Sequence, residues 1–302
     1  MKLRLGLVFI VLGSLAPSAG SYVPLRTPDG VALQWRRGCP AFTVVASGGE
    51  GLPAEQLAEL IERSRQAWQG GPDGCGQLPV EVIGEGPDGD IAYDGASRLL
   101  WRDRDHCTRP GSASDEVCLS PNAAAVTTVF YYERGDRAGE LVEADMEING
   151  AFTFGTNSEP DRVDLLATLT HELGHALGLE HTCETIPGRA PMIDSAGVPV
   201  PPCFPLGALP ETVRAATMFP YQAPGDVETR TPLPDERGAV CGLYREHAGT
   251  CAETGPGCGC AGAGGASALT TVLLLIALWW LRFATRPAWR CPPRSSASRG
   301  ST

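Results

Sequence analysis

Hydrophobic positions along the chain fall into a few readable runs. In LPAEQLAELIERSRQAW the apolar residues Leu57, Leu60 and Ile61, then Ala67 and Trp68, recur at helical spacing. LPVEVIGEG reads as a strand. Ala125 to Glu133 is rich in β-branched and aromatic residues and reads as another. GELVEADMEING carries Leu141, Ala144, Met146 and Ile148 in near alternation, a third strand. EPDRVDLLATLTHELGHALG then reads as a helix, with Pro160 at its start, Asp161 suited to the N-terminal dipole, and Gly178 at its end. LPDERGAVCGLYREHA reads as a last helix. Strands mixed with long helices and no internal repeat predict one α+β domain from about residue 21 to 250.

The two ends differ from this body. Residues 1–20 have Lys2 and Arg4, an apolar run and small residues, the layout of a cleaved secretory signal peptide. Residues 251–265 form a Gly- and Cys-rich linker. Residues 261–281 carry no charge, and at about 1.5 Å per helical residue such a stretch crosses a bilayer core, with residues 266–281 as the span. Residues 282–302 hold five arginines and no acid, which predicts a cytoplasmic tail. The body would then face outward, exported and anchored at the cell surface.

Composition supports that compartment. The chain of 302 residues has 11 cysteines, too many for a reduced cytosolic enzyme that does not bind metal through thiols. Neighbour pairing gives Cys39–Cys75, Cys107–Cys118, Cys183–Cys203 and Cys241–Cys251 as the simplest scheme, with connectivity open. The formal charge is −11, and the basic residues at the two ends leave the body more acidic still. Such a body repels nucleic acid, so none is expected as a partner. A monomeric catalytic domain is expected.

The chemistry lies in HELGHALGLEH. It holds three of the chain's 5 histidines. Residues four apart on a helix share a face, so His171 and His175 aim two imidazoles at one point. A turn at Gly178 can return His181 as a third zinc ligand. Three protein ligands leave a coordination position for water, the mark of a catalytic site. Glu172, next to the first ligand, is placed to take a proton from that water.

These residues resemble the zinc signature of the metzincin metalloendopeptidases, and HELGHALGL resembles its matrixin branch. AVTTVFYY and VEADMEIN are similar to the two strands that precede the active-site helix in bacterial matrixin-like proteases. ATMFPYQAPGD is similar to the Met-turn, and LPDERGAVCGLY to the closing helix. The resemblance implies a metzincin-like zincin fold: a twisted mixed sheet packed on the active-site helix, with a small C-terminal subdomain after the third histidine. It implies His171, His175 and His181 as ligands of one Zn2+, Glu172 as general base and acid, Met218 as the hydrophobic floor, and proteins or peptides as substrates.

Three departures stand out. Met218 lies far beyond His181, and the Pro-rich insertion between them offers Met192 as a rival. A Cys183–Cys203 bridge would staple this insertion beside the primed side of the cleft. Only His106 and His247 remain for the structural zinc of animal matrixins, so that site is expected to be absent, while Ca2+ through Asp145 or loop acids stays open. RRGCPAF has the wrong order around Cys39 for a cysteine switch. Finally, GCGC before an apolar run and arginines resembles the MYXO-CTERM sorting tails of myxobacterial surface proteins, which implies surface delivery, with cleavage or lipid attachment at Cys258 and Cys260. Two other functions fit the same residues: a catalytically silent surface-binding module and a zinc amidase of narrow range.

Overall fold

The computed structural model describes residues 22–36, 41–45, 52–69, 80–85, 90–102, 107–108, 117–118, 120–186, 191–244 and 298–301. In chain order these form β1 (Ala41–Val45), α1 (Ala54–Gln69), β2 (Glu81–Glu85), β3 (Arg98–Arg102), the short β4 (Cys107–Thr108) and β5 (Val117–Cys118), β6 (Ala125–Tyr131) and β7 (Leu141–Asn149). Then come β8 (Phe154–Gly155), β9 (Val163–Asp164), α2 (Leu165–Ala176), α3 (Glu211–Arg214), α4 (Pro234–Tyr244) and β10 (Ser298–Ser301).

A mixed sheet in the order β10-β6-β7-β3-β1-β2 organises the domain, five strands of the body with β10 added at the β6 edge. β2, β1, β3 and β7 run parallel, and β6 is antiparallel to β7. The period-2 rule sorts the side chains of β7. Ala144, Met146 and Ile148 are fully buried in the main core with Leu57, Ile61 and Trp68 of α1 and Leu165, Leu169 and Leu173 of α2. Leu141 breaks the alternation because the β6–β7 register shifts between Phe130 and Tyr131, and the bulge turns it inward.

Glu143, Asp145 and Glu147 take the opposite face of β7, also buried. Their partners come from β3 and the segment before it. The main-chain N–H groups of Asp94 and Gly95 donate to Glu143 at 3.1 and 2.7 Å, and those of Ala92 and Arg98 donate to Asp145 at 3.4 and 2.9 Å. Arg102 bridges Asp90 at 2.6 Å and Glu147 at 2.8 Å. Asp145, left open as a calcium ligand by its sequence, thus acts as an acceptor for backbone amides. The carboxylates replace a second helical layer here, fastening a loop over a small apolar patch of Ile91, Leu100 and Phe130.

The insertion after His181 is stapled by Cys183–Cys203, Cα–Cα 5.0 Å, as neighbour pairing predicts. Cys107 and Cys118 stand opposite each other in the β4–β5 ladder. Cys241 is disulfide-bonded as well. Cys39, Cys75, Cys251, Cys258 and Cys260 lie outside the described residues, as do the signal-peptide segment and residues 251–281. Among the described residues no helix is long and apolar enough to cross a membrane. β10, from the basic tail, runs antiparallel along the outer edge of β6 from Tyr131 to Thr128. Pairing there and a tail across a membrane are mutually exclusive placements of Ser298–Ser301.

Burial pushes the Glu143 carboxyl up to about 7, against the pull of the Gly95 and Asp94 amides. Burial, then the neighbouring Glu143, pushes Asp145 up to about 8. Both acids therefore hold a proton more firmly in the folded chain than in the unfolded one, where carboxyls titrate near about 4. Their contribution to stability is complete at low pH and lost as pH rises through the folded-state values. Urea midpoints should fall between pH 5 and pH 8, and the Glu143→Gln/Asp145→Asn double variant should flatten that slope.

Candidate metal centre and active-site cleft

Helix α2 starts later than its sequence suggests. Pro160 and Asp161 precede a short β9, and Asp164 is the N-cap, its carboxylate accepting from Ala167 N at 2.9 Å. Arg230 Nε holds the same carboxylate at 2.8 Å. The helix is buried almost all round, so its carbonyls need partners within the protein. Trp68 Nε1 donates to Thr170 O at 2.7 Å, Trp35 Nε1 to Ala176 O at 2.8 Å, and the Tyr244 hydroxyl to Leu177 O at 2.8 Å. The last two satisfy carbonyls that a helix end leaves orphaned.

The end of α2 is a Schellman turn. Gly178 has φ +93°, its N–H donates to His175 O at 2.9 Å, and Leu179 N donates to Gly174 O at 3.0 Å. The N-terminal segment then clamps the outgoing chain: Leu25 N donates to Gly178 O and Glu180 N to Val23 O, each at 2.8 Å. The next residue is His181, and it returns to the helix.

His171, His175 and His181 meet there. Nε2 of His175 lies 3.0 Å from Nε2 of His171 and 3.2 Å from Nε2 of His181. The outer nitrogens are committed: His171 Nδ1 is 2.7 Å from Thr217 O and His175 Nδ1 is 2.8 Å from Leu179 O. A carbonyl accepts, so each Nδ1 carries the hydrogen and each facing Nε2 presents a lone pair. Burial holds all three imidazoles neutral. It takes His171 down to about 3, helped by His175, and His175 to about 4; His181 is lowered well below the usual range by burial and its two neighbours. Buried lone pairs facing one another at this distance repel unless a cation sits between them. Tetrahedral ligands about 2.1 Å from zinc stand about 3.4 Å apart, close to the spacing found. The residues fit the metal, and no other such donor group occurs among the described residues.

Met218, rather than its rival Met192, packs against α2. A Cβ built on Gly174 would lie 2.3 Å from Met218 Sδ and 2.7 Å from Trp68 Cζ2. Met218 is buried in the main core, whereas Met192 is half-buried in the insertion and outside it. Glu236 of α4 fastens the Met218 turn, accepting from Met218 N at 2.8 Å and Thr217 N at 3.0 Å. Thr182 N donates to Met218 O at 3.1 Å, tying the residue after the third histidine to that turn.

Glu172 is buried beside the histidines. The Thr127 hydroxyl of β6 donates to its Oε2 at 2.6 Å. Burial pushes the Glu172 carboxyl up to about 7, while the Thr127 hydrogen bond pulls it down. The histidines and Glu172 line a cleft of about 620 Å³ whose walls include Ala125, Val126, Phe219 and Tyr221.

The sequence names His171, Glu172, His175, His181 and Met218 as candidates; the structure clusters the three histidines, sets Glu172 next to His171 on the same helix and packs Met218 at Gly174. It misses Thr127, Glu236 and Tyr244. Thr127 carries a faint signal, a hydroxyl at a core-facing position of a strand. Glu236, in the first turn of a helix, is indistinguishable by pattern from a surface acid.

Residues 73–193 match the matrixin (Peptidase_M10) family model. The match takes in β6, β7, α2 and the three histidines and stops short of Met218. No curated protein matches the chain. Sheet topology, histidine cluster and family match together support a matrixin-type metallopeptidase domain, a family whose members use zinc and act on proteins.

At Gly178 a side chain would need the left-handed region, costing an L-residue roughly 1–2 kcal/mol, and its Cβ would stand 2.4 Å from Leu33 O. Gly178→Ala should lower the thermal midpoint by several degrees and the zinc bound per chain together, by calorimetry and metal analysis. Gly197→Ala, equally left-handed but with open space around it, should lower only the former.

Proposed function

We propose that this chain is an exported zinc-dependent metalloendopeptidase. The observation that carries the reading is the meeting of three imidazole nitrogens beside a buried carboxylate, at the floor of an open cleft.

His171, His175 and His181 would hold the zinc, whose chemistry is to polarise a scissile carbonyl and acidify water. Glu172 supplies the proton transfers. Its carboxylate takes a proton from the attacking water as the water oxygen bonds to the carbonyl carbon. It then delivers that proton to the departing amine as the C–N bond breaks.

Substrate alignment follows from the edge of the sheet. β6 forms one rim of the cleft through Ala125 and Val126 and has an outer edge that pairs with an extended antiparallel strand, as it does with Ser298–Ser301. A polypeptide laid along that edge would be gripped by main-chain hydrogen bonds, which suits an endopeptidase better than an enzyme for small amides. The signal-peptide pattern and cysteine content support export; in the anchored form the apolar run and its arginine tail carry Ser298–Ser301 away from β6, which leaves that edge free for substrate.

The test is cleavage of an unstructured protein such as casein by the full chain made in an oxidising host. Wild type should cleave; a zinc chelator should abolish cleavage and added Zn2+ restore it. Glu172→Ala should lower kcat by at least about a hundredfold while keeping one zinc per chain. A zinc-loaded wild type that cleaves no better than Glu172→Ala would overturn the reading in favour of a binding module or a narrow amidase.

A further inference from the structure

Thr127 is fully buried on β6, and its Oγ1 lies 2.6 Å from Glu172 Oε2 and 3.1 Å from the Glu172 main-chain oxygen. It belongs to the opposite element of the cleft from the helix that carries the metal ligands. Nothing in the HELGHALGLEH pattern requires it.

We infer that Thr127 is a positioning residue for proton transfer, holding one oxygen of the Glu172 carboxylate so that the other serves the reaction. The inference rests on the endopeptidase reading above. A hydroxyl has one hydrogen, and the shorter contact is to the carboxylate, so the hydrogen goes to Oε2. That bond fixes the end of a side chain whose last torsion is otherwise broad. Among the described residues no hydrogen bond is made to Oε1. The proton leaving water therefore forms its new bond at Oε1, and that O–H bond breaks again when the amine takes the proton. Through both transfers Oε2 keeps Thr127 as its donor, and the carboxyl group does not reorient.

The geometry is anchored at two levels. β6 is paired to β7 across its whole length, and Thr127 stands opposite Met146 in that ladder. Met146 is fully buried in the core against the helices. Thr127 is thus held by the sheet, while Glu172 is held by α2. Their hydrogen bond joins the wall that receives the substrate to the helix that performs the chemistry.

Thr127→Val removes the hydroxyl and keeps the branched shape; Thr127→Ser keeps the hydroxyl. Both are compared with wild type in the full chain, with casein-derived peptide as substrate and zinc content measured on the same samples. Thr127→Val should lower kcat roughly tenfold to a hundredfold with KM and bound zinc unchanged, and Thr127→Ser should recover most of the loss. Unchanged kcat in Thr127→Val overturns the inference and leaves the endopeptidase reading standing. A loss shared by Val and Ser, accompanied by lost zinc, overturns it in favour of a purely structural threonine. Absence of zinc-dependent cleavage in wild type overturns the inference and the reading together.

Discussion

Three imidazole nitrogens facing one another inside a protein are an unfavourable arrangement that only a cation relieves. The rest of this structure can be understood as what is needed to impose that arrangement. Two of the rings come from consecutive turns of one helix and need little help. The third must be returned by a chain reversal, and Gly178 supplies it with a left-handed backbone that ends the helix. The N-terminal segment pairs with the outgoing residues, and Thr182 pairs with the Met218 turn, so the returning histidine is fixed from two sides. Carbonyls of Thr217 and Leu179 set the hydrogen on the far nitrogen of two rings, so that a lone pair faces the metal position.

Burial makes these constraints effective. Desolvation keeps the histidines neutral and raises Glu172 toward neutrality. The helix that carries two of the histidines is itself buried and must satisfy its own backbone, and Trp35, Trp68 and Tyr244 do so from three separate segments of the chain. Each is also a large core side chain, so packing and hydrogen bonding at the site come from the same residues. Glu236 does the equivalent work below, spending a buried carboxylate on the two amides of the Met218 turn. On the far face of the sheet, Glu143 and Asp145 show the same use of buried carboxylates to hold a loop.

Much of this was legible because it is local. The helical spacing of α1, the aliphatic runs of β6 and β7, and the spacing of His171, Glu172, His175 and His181 each depend on residues near one another in sequence. β1 and β3 were not legible. AFTVV follows directly on Cys39-Pro40 without alternation, and RLLWR hides two buried arginines whose carboxylate partners lie on β7 and in the preceding loop. Parallel pairing places strands far apart in sequence side by side, and no local pattern marks it. The start of α2 was misplaced because Asp161 and Asp164 are equally good caps by type. Tertiary contact with Arg230 accompanies the cap at Asp164. Thr127 and Glu236 escaped for the same reason: their partners are fixed by the fold, not by the spacing.

The central claim is that the three imidazoles exist to hold one zinc ion. Zinc K-edge X-ray absorption on the purified, zinc-loaded chain tests it most directly. The account predicts one zinc per chain with three nitrogen neighbours at about 2.0–2.1 Å and a light oxygen ligand completing the shell. A shell dominated by sulfur at about 2.3 Å, or a protein that binds no zinc with His171, His175 and His181 intact, would contradict it.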